Sequence, residues 1–390
     1  MNRTKDSKII LALSGGIDSG MAVRKLKEDG WKNIIAANHV VYRGVKSSSR
    51  EVLERAEKLC RDEEIPFYII DAEKEFAGCV INNFIESYAH GVTPNPCVIC
   101  NENIKFTWFY DSVVNRLIEE GKASAVEDIF FATGHYVRLA EKDGDIFLRR
   151  ASDKTKDQSY MLYRLPQKIL RRCVFPMGEI LKKDLASEAA DLGYSFDSVK
   201  ESQDICFIEG EYGNFIREKA PPNLLKVRPG RIEDTYGNFL GRHKGYVYYT
   251  VGQRKGLSLS DGPWYVISVD SKTNTVTVGR DEEQGRDDFY IEKSNWFIPV
   301  PVNGKISCNV VIRYNSSEIP CEVEITGLGS DSGCGSGSNS SNSSNSSSNS
   351  SNSSGSVKVT LSAKQVITPG QSAVFYKDDL VIGGGIICRS

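Results

Sequence analysis

The sequence predicts an α/β protein in which a parallel sheet covered by helices is followed by a small β domain and a C-terminal β-barrel. Three observations carry that expectation. The first two hundred residues alternate short apolar runs with stretches of helical periodicity, the pattern of strands joined by crossover helices. After about Gly210 the texture becomes rich in β-branched and aromatic residues punctuated by Gly and Pro. Ser330 to Ser356 is almost pure Gly, Ser and Asn, too polar to bury a core, and reads as a disordered tether inside an otherwise β-rich segment.

In chain order, strands are expected at Ile9–Leu13, Ile34–Val41, Phe67–Ile70 and Ile129–Thr133. Between the second and third, Val52, Leu53, Ala56, Leu59 and Cys60 recur at helical spacing and mark one apolar face, giving a βαβ unit. A further helix is expected from Gly178 to Leu192, stopped by Gly193. Strand character then follows in "KGYVYYTVGQRKG", "PWYVISVD", "NTVTVGR", "VKVTLSA", "SAVFY" and "VIGGGII". The resulting division is a catalytic domain over residues 1–210, a central β domain over 211–282 and a barrel over 283–390 carrying the insertion at 330–356.

Bulk properties narrow the class. A chain of 390 residues can bury two or three cores without disulfides. No apolar run approaches the ~20 residues that span a bilayer, so no membrane association is expected. The opening residues "MNRTKDSKII" resemble neither a secretory signal nor a transit peptide, and a cytoplasmic address is expected. In that compartment ten scattered cysteines read as thiols, ligands or catalysts rather than a disulfide framework. Net charge is only -2, yet Lys226 to Gly256 holds seven Lys/Arg against two acidic residues, either a solvated surface or a contact for a phosphate backbone.

The stretch "LALSGGIDSG" carries the first chemistry. A strand running into Ser14-Gly15-Gly16-Ile17-Asp18-Ser19, with Val23 and Leu26 on one helical face beyond it, is a phosphate-cradling turn. Its glycines let backbone N–H groups converge, and the helix N-terminus adds partial positive charge. Ser14 and Ser19 offer hydroxyls, and Asp18 can help hold Mg2+. No lysine follows, which excludes the GxxxxGK[ST] loop. The six-residue pattern resembles the PP-loop of the ATP pyrophosphatase superfamily, whose fold is adenine nucleotide alpha hydrolase-like and whose members activate a substrate oxygen with AMP and release pyrophosphate.

Seven further stretches occur in order: "TPNPCVICNENIKF" from Thr93, "ATGHYVR", "KDQSYMLYRL", "ESQDICFI", "YTVGQRKGL", "TPGQSAVFY" and "GGGII". Together they resemble the tRNA-specific 2-thiouridylase family over essentially the whole chain except the tether. The resemblance implies ATP-dependent adenylation of the wobble uridine at C2, displacement of AMP by sulfur, and tRNA, ATP, Mg2+ and a sulfur-donating protein as partners. It assigns Ala12, Leu13, Ser14, Gly15, Gly16, Ile17, Asp18 and Ser19 to ATP, with Gly134 and either Asn38 or His39 at the nucleotide.

The same resemblance makes Cys206 the persulfide carrier and Cys100 the nucleophile that frees the sulfur by forming a disulfide with it. Both require thiolate character, hence nearby positive charge or a helix N-terminus. Cys97 places a thiol where many members carry an aspartate that the resemblance implies is an acid/base group. Cys97, Cys100 and Cys206 also leave open a [4Fe-4S] reading in which three thiolates leave one iron free for sulfide. A zinc site would need a fourth ligand that the sequence does not offer, and "CVIC" after Pro-Asn-Pro lacks a thioredoxin context. Contacts to tRNA are implied for Asn95, Pro96, Cys97, His135, Lys156, Asp157, Gln158, Arg313, Tyr314 and Gln371, while Arg254 and Lys255 are either phosphate grips or a solvated turn. The rival readings are a PP-loop enzyme acting on a small metabolite and a non-catalytic tRNA- or cluster-binding protein that retains the fold.

Overall fold

The computed structural model describes residues 4–42, 50–124, 128–185, 205–225, 227–301, 304–326 and 356–389. Its first sheet is five-stranded and wholly parallel, in the order β3-β2-β1-β4-β7, with β1 Lys8–Ala12, β2 Asn33–Val40, β3 Phe67–Asp71, β4 Phe130–Thr133 and β7 Cys173–Val174. The four expected strands are present within one or two residues at each end. The two-residue β7 is too short to show periodicity in the sequence. Strand β1 is buried on both sides, which is why its sequence is a continuous apolar run rather than an alternating one. Ile9, Leu11 and Leu13 pack with Met21, Val23 and Leu26 of helix α1 (Ile17–Glu28), while Ile10 and Ala12 share a cluster with Phe109, Val113 and Phe131 on the opposite face.

The order of strands positions the site. From β1 the chain winds to β2 and β3 in one direction and then returns to lay β4 and β7 on the other side. The direction reverses between β1 and β4, so a crevice opens at their carboxyl ends, the place where open parallel sheets bind ligands. Helix α2 (Arg50–Asp62) covers the expected apolar face with Ala56 and Cys60 buried. A helical rod then combines α3 (Glu73–Phe76), a π-helical turn (Ala77–Ile81) and α4 (Asn82–Ala89). A second combines α5 (Pro96–Ile99), a π-helical stretch (Cys100–Phe109) and α6 (Tyr110–Glu119). The helix expected over 178–192 is corrected in part. Gly178 and Glu179 are turn, Ile180 and Leu181 are irregular and Lys182–Asp184 form a 3-10 turn, because Leu181 is extended there, and the segment after Leu185 lies outside the described residues.

The central unit opens with α8 (Tyr212–Lys219), which follows the short α7 (Gln167–Leu170), and contains a four-stranded sheet in the order β10-β11-β8-β9. These strands are β8 Gly230–Asp234, β9 Phe239–His243, β10 Tyr265–Asp270 and β11 Thr275–Gly279. "KGYVYYTVGQRKG" is not a strand. Tyr246–Tyr248 form a 3-10 turn whose residues are buried, so its β-type composition reflects core packing rather than a ladder.

Strands β12 (Arg286–Trp296), β13 (Gly304–Val311), β14 (Ile319–Thr326), β15 (Ser356–Gln365), β16 (Ser372–Lys377) and β17 (Leu380–Ile387) close into a barrel through β12–β17 pairing. Thr326 pairs with Ser356, so the Ser/Asn-rich insertion joins two strands that are hydrogen-bonded neighbours. A hairpin from the first two hundred residues, β5 (Arg138–Lys142) and β6 (Asp145–Arg149), extends the barrel sheet at β17. "GGGII" has a packing reason. A Cβ on Gly383 would lie 2.3 Å from the Trp296 ring, and one on Gly384 would lie 2.5 Å from the Tyr163 ring. Tyr163 comes from "KDQSYMLYRL", which docks the barrel on the parallel-sheet unit. Tyr160 donates to the Ser372 carbonyl (2.9 Å), Ser159 meets the Tyr376 hydroxyl (3.1 Å), and Asn295 donates to the Tyr163 carbonyl (2.7 Å).

Candidate active site

The glycine turn leaves β1 at Ala12 and Leu13, both buried, with Leu13 N–H donating to the Ala37 carbonyl at 2.8 Å. Gly15 has φ +77, and a Cβ there would meet the Val52 carbonyl oxygen at 2.5 Å, so the left-handed turn is both conformationally and sterically reserved for glycine. The Ser14 and Ser19 hydroxyls lie 3.0 Å apart, and Ser19 Oγ donates to the Gly16 carbonyl at 2.9 Å, which folds the turn onto the first helical residues. Helix α1 has Gly16 at its cap with no side-chain capping bond. The first-turn N–H groups of Ile17, Asp18 and Ser19 therefore point at the crevice with no capping side chain over them. Gly134 follows β4 directly. A Cβ there would come within 3.0 Å of Ser19 N and 3.1 Å of Asp18 C, so this glycine lets the end of β4 approach the start of α1.

Asp18 lies at the centre of a network. Tyr136 donates its hydroxyl to Asp18 Oδ1 (2.7 Å), and the Lys182 ammonium pairs with the same oxygen. Tyr136 is in turn braced by Gln158, whose side-chain oxygen accepts from Tyr136 N (2.9 Å) and whose N–H donates to the Tyr136 carbonyl (2.8 Å). Asn38 is buried and donates to the Leu13 carbonyl (2.8 Å). His39, the next residue, faces the other way and packs against Phe109, with ring centroids 4.7 Å apart and the planes tilted by 32°. Of the two alternatives for the strand end, Asn38 thus fixes the turn's backbone while His39 lies against Phe109, within the electrostatic reach of Lys105.

Cys97 is the second residue of α5, whose cap is Asn95 and whose first position is Pro96. Val98 N–H donates to Asn95 Oδ1 at 3.4 Å. The capping Asn and the N1 Pro are the local reason this short helix starts where it does. Cys100 ends α5 and begins the π-helical stretch. A π-helix closes i→i+5, and it brings Lys105, five residues on, back over Cys100, whereas an α-helix would turn it away. Cys206 sits in a tight turn in which Ile208 N–H donates to the Ile205 carbonyl (3.1 Å), held by buried Phe207 against Phe76, Phe84 and Phe215.

Lys105 is the electrostatic neighbour common to Cys97, Cys100, Cys206, His39 and His135. Burial pushes the Cys100 thiol up to about 12 and the Cys206 thiol up to about 11, and also raises Cys97, with Lys105 pulling each back. Cys97 and Cys206 are reached by solvent although the surrounding protein desolvates them, as expected of groups lining a cleft. His39 is driven down to about 3, and His135 well below its usual value, by burial first and Lys105 second, so both imidazoles are neutral at pH 7. His135 Nδ1 lies 2.8 Å from the Thr133 hydroxyl. Among the described residues, no three His, Cys, Asp or Glu side chains are arranged to hold a metal ion.

The remaining predicted contacts divide. Lys156 is partly exposed. Asp157 is buried and accepts from Ala151 N, Ser159 Oγ and Arg150 Nη1, so its carboxylate is committed inside the protein. Arg313 donates to Thr368 Oγ1 (3.3 Å), and Tyr314 lies against Tyr160, with ring centroids 6.0 Å apart. Gln371 donates to the Thr93 and Pro94 carbonyls at 3.0 and 3.2 Å, and Thr93 N–H donates to the Pro369 carbonyl (3.0 Å), so the barrel buttresses the segment that carries Asn95, Pro96 and Cys97. Arg254 and Lys255 lie exposed on a turn of the central unit.

Sequence reasoning missed Lys105, Tyr136 and Lys182. Lys105 and Tyr136 lie inside the motifs quoted above. The separation of Lys182 from Asp18 by 164 positions leaves no sequence signal.

Three family models match the chain: the tRNA methyl transferase HUP domain over residues 7–210, the tRNA methyl transferase PRC-barrel domain over 222–280, and the aminomethyltransferase beta-barrel domain over 341–387. A tRNA-specific 2-thiouridylase of Clostridium perfringens is 36% identical, covering 97% of this chain and 98% of that protein. One from Clostridium tetani is 36% identical (99% and 98%), and one from Natranaerobius thermophilus 34% identical (98% and 98%). A solved U34-tRNA thiolase of Methanococcus maripaludis with its [4Fe-4S] cluster is 20% identical at a TM-score of 0.30, covering 52% of this chain and 63% of that one. With the parallel sheet, its glycine turn and the thiol cleft in place, the near end-to-end identity to these relatives makes the chain a member of the tRNA-specific 2-thiouridylase family.

Proposed function

We propose that the chain replaces the C2 oxygen of the wobble uridine in tRNA with sulfur, using ATP to activate that oxygen and a persulfide on Cys206 as the sulfur source. The observation that carries the reading is the meeting of two kinds of chemistry at the carboxyl ends of one sheet's strands. The uncapped α1 turn and Gly134 lie at the ends of β1 and β4, and three thiols gather around Lys105 beside His39 and His135 at the ends of β2 and β4.

The turn fits a triphosphate, because its helix N-terminus offers N–H groups and the cradle beside Gly134 is one that a single Cβ would crowd. Residues Ala12 to Ser19 and Gly134 would hold the nucleotide, and Asp18 the Mg2+. ATP supplies the electrophilic phosphorus, so that uridine O2 becomes esterified and pyrophosphate departs. The terminal sulfur on Cys206 then adds at C2, and AMP leaves with the original oxygen. Cys100 attacks Cys206 Sγ, the bond to the transferred sulfur breaks, that sulfur keeps the electron pair as the new thiocarbonyl, and a Cys100–Cys206 disulfide remains. A donor protein reloads the persulfide once an external thiol has reduced the disulfide. Lys105 offsets the negative charge that this relay moves between thiols otherwise held protonated by burial.

The [4Fe-4S] alternative on Cys97, Cys100 and Cys206 is not supported by the arrangement of the side chains. Among the described residues these thiols do not converge as a metal site. The two readings separate in one experiment. Anaerobically purified protein is incubated with unmodified tRNA, ATP, Mg2+ and a persulfide source, nucleosides are analysed by mass spectrometry, and iron is measured alongside. Turnover in iron-free protein, lost in Cys100→Ser and Cys206→Ser, is the expected result. Turnover only in iron-loaded protein would overturn the relay, and adenylation without tRNA would point to a small-metabolite enzyme.

A further inference from the structure

The glycine turn lacks the lysine that the GxxxxGK[ST] loop carries, yet an ammonium reaches it from elsewhere in the chain. Lys182 Nζ pairs with Asp18 Oδ1, in the first turn of α1, and lies 5.7 Å from the centroid of the Tyr136 ring. Its side chain is 16% exposed, so the ammonium is largely withdrawn from water. Its position is fixed from both ends. Lys182 N–H donates to Asp153 Oδ2 (3.0 Å), and Leu185, three residues on, is fully buried in the cluster that contains Met21 and Val23 of α1. Asp153 is committed to this role by accepting also from Thr155 N and Oγ1.

Resting on the reading of the turn as a nucleotide site, we propose that Lys182 is the phosphate-binding lysine of this protein, parked on Asp18 in the ligand-free state and transferred to a polyphosphate oxygen when a nucleoside triphosphate binds. The chemistry requires such an exchange. A largely buried ammonium needs an anion at all times. Asp18 serves while the turn is empty, and a phosphate oxygen serves once the Asp18 carboxylate is drawn to Mg2+. The lysine and the metal therefore trade anions, and neither charge is left alone in the crevice. Tyr136, hydrogen-bonded to the same carboxylate and braced by Gln158, keeps Asp18 oriented through the exchange.

The test is equilibrium binding of ATP, pyrophosphate and adenosine to the full chain by calorimetry, with and without Mg2+. Lys182→Gln should weaken ATP and pyrophosphate roughly 10- to 100-fold, as expected when one charge-assisted hydrogen bond is removed, and leave adenosine within twofold. Lys182→Arg should recover part of the loss. Without Mg2+, Asp18→Asn should bind pyrophosphate more tightly than wild type, because the lysine is no longer held by the carboxylate. That gain should vanish in the Asp18→Asn/Lys182→Gln double variant. Equal pyrophosphate affinity in wild type and Lys182→Gln, or a gain from Asp18→Asn that survives in the double variant, would overturn the proposal while leaving the nucleotide site intact. If Lys182→Gln does not fold, the Asp18→Asn gain measured against Lys182→Arg/Asp18→Asn decides the matter, since a parked lysine predicts a gain in both and a structural one predicts a loss. Absence of ATP binding in wild type would remove the nucleotide site and this inference together.

Discussion

Gln371 offers the sharpest separation between a residue that touches tRNA and one that shapes the site. Its amide nitrogen donates to the Thr93 and Pro94 carbonyls, two and one residues before Asn95, and Thr93 N–H returns a bond to Pro369. Gln371→Ala removes two hydrogen bonds that cross from the barrel to the cysteine segment, each contributing about 0.5–1.5 kcal/mol, so the loop loses about 1–3 kcal/mol of positioning. If the reactive geometry depends on that loop, kcat falls roughly ten- to a hundredfold. Affinity for tRNA and its salt dependence should stay within twofold. The assay pairs single-turnover thiolation with filter binding of tRNA at several salt concentrations. Gly370→Ala provides a second arm. Gly370 has φ +89, and a Cβ there would lie 2.3 Å from Val92 Cγ1 and 2.8 Å from the Thr93 carbonyl, so the same loop is displaced by a wedge and the same phenotype should follow. A Gln371→Ala variant with intact kcat and weakened tRNA binding would refute the buttress and return Gln371 to the RNA interface.

Other consequences can be measured separately. Gly134→Ala introduces a Cβ about 3 Å from the backbone at the start of α1 and should cost about 1–3 kcal/mol in denaturant unfolding while abolishing detectable ATP binding. With thiols pushed to about 12 and about 11, alkylation of Cys100 and Cys206 by iodoacetamide in the ligand-free protein should be slow at pH 7 and accelerate above pH 9, and Lys105→Met should slow it further. Mass-spectrometric labelling that is fast and pH-independent would count against burial. Because the folded protein holds these protons more tightly than an unfolded chain does, stability should also fall as pH rises from about 9 through 11–12. At the acid end His39 stays neutral down to about 3, whereas an unfolded histidine takes up a proton near 6.5. Stability should therefore be full above 6.5 and decline toward 3 by up to about 1.4 kcal/mol per pH unit per histidine, a slope that His39→Phe should reduce in thermal melts across pH 4–7. Arg254→Ala/Lys255→Ala should lower the salt slope of tRNA binding by roughly one unit for each phosphate no longer neutralised, and an unchanged slope would assign both to the solvated turn.

Much of the first sheet is legible directly because strands buried on both faces leave uninterrupted apolar runs, as in Ile9–Leu13. The turn is legible because Gly15 must be glycine for its positive φ, a local constraint, whereas the close approach of Val52 that reinforces it comes from the fold. Composition misleads at Tyr246–Tyr248, where aromatic and β-branched residues fill a core without joining a ladder. The hairpin Arg138–Arg149 belongs to the first unit by position yet extends the barrel sheet, since strand pairing follows space rather than sequence order. The family resemblance implies RNA contacts for Asp157 and Gln371, and only the structure adds that the Asp157 carboxylate and the Gln371 amide also hydrogen-bond within the fold.

By itself the sequence determined the parallel-sheet class, the phosphate-type turn, the cysteines and the family to which the chain belongs, because each is encoded in contiguous residues whose conformational and chemical demands are local. Only the tertiary structure decided which charges serve that machinery. Lys182 reaches Asp18 across 164 positions, a π-helical stretch swings Lys105 over the thiols, and a barrel loop props the cysteine segment. Electrostatics and positioning act through distance in space, and distance in space exists only after the chain has folded.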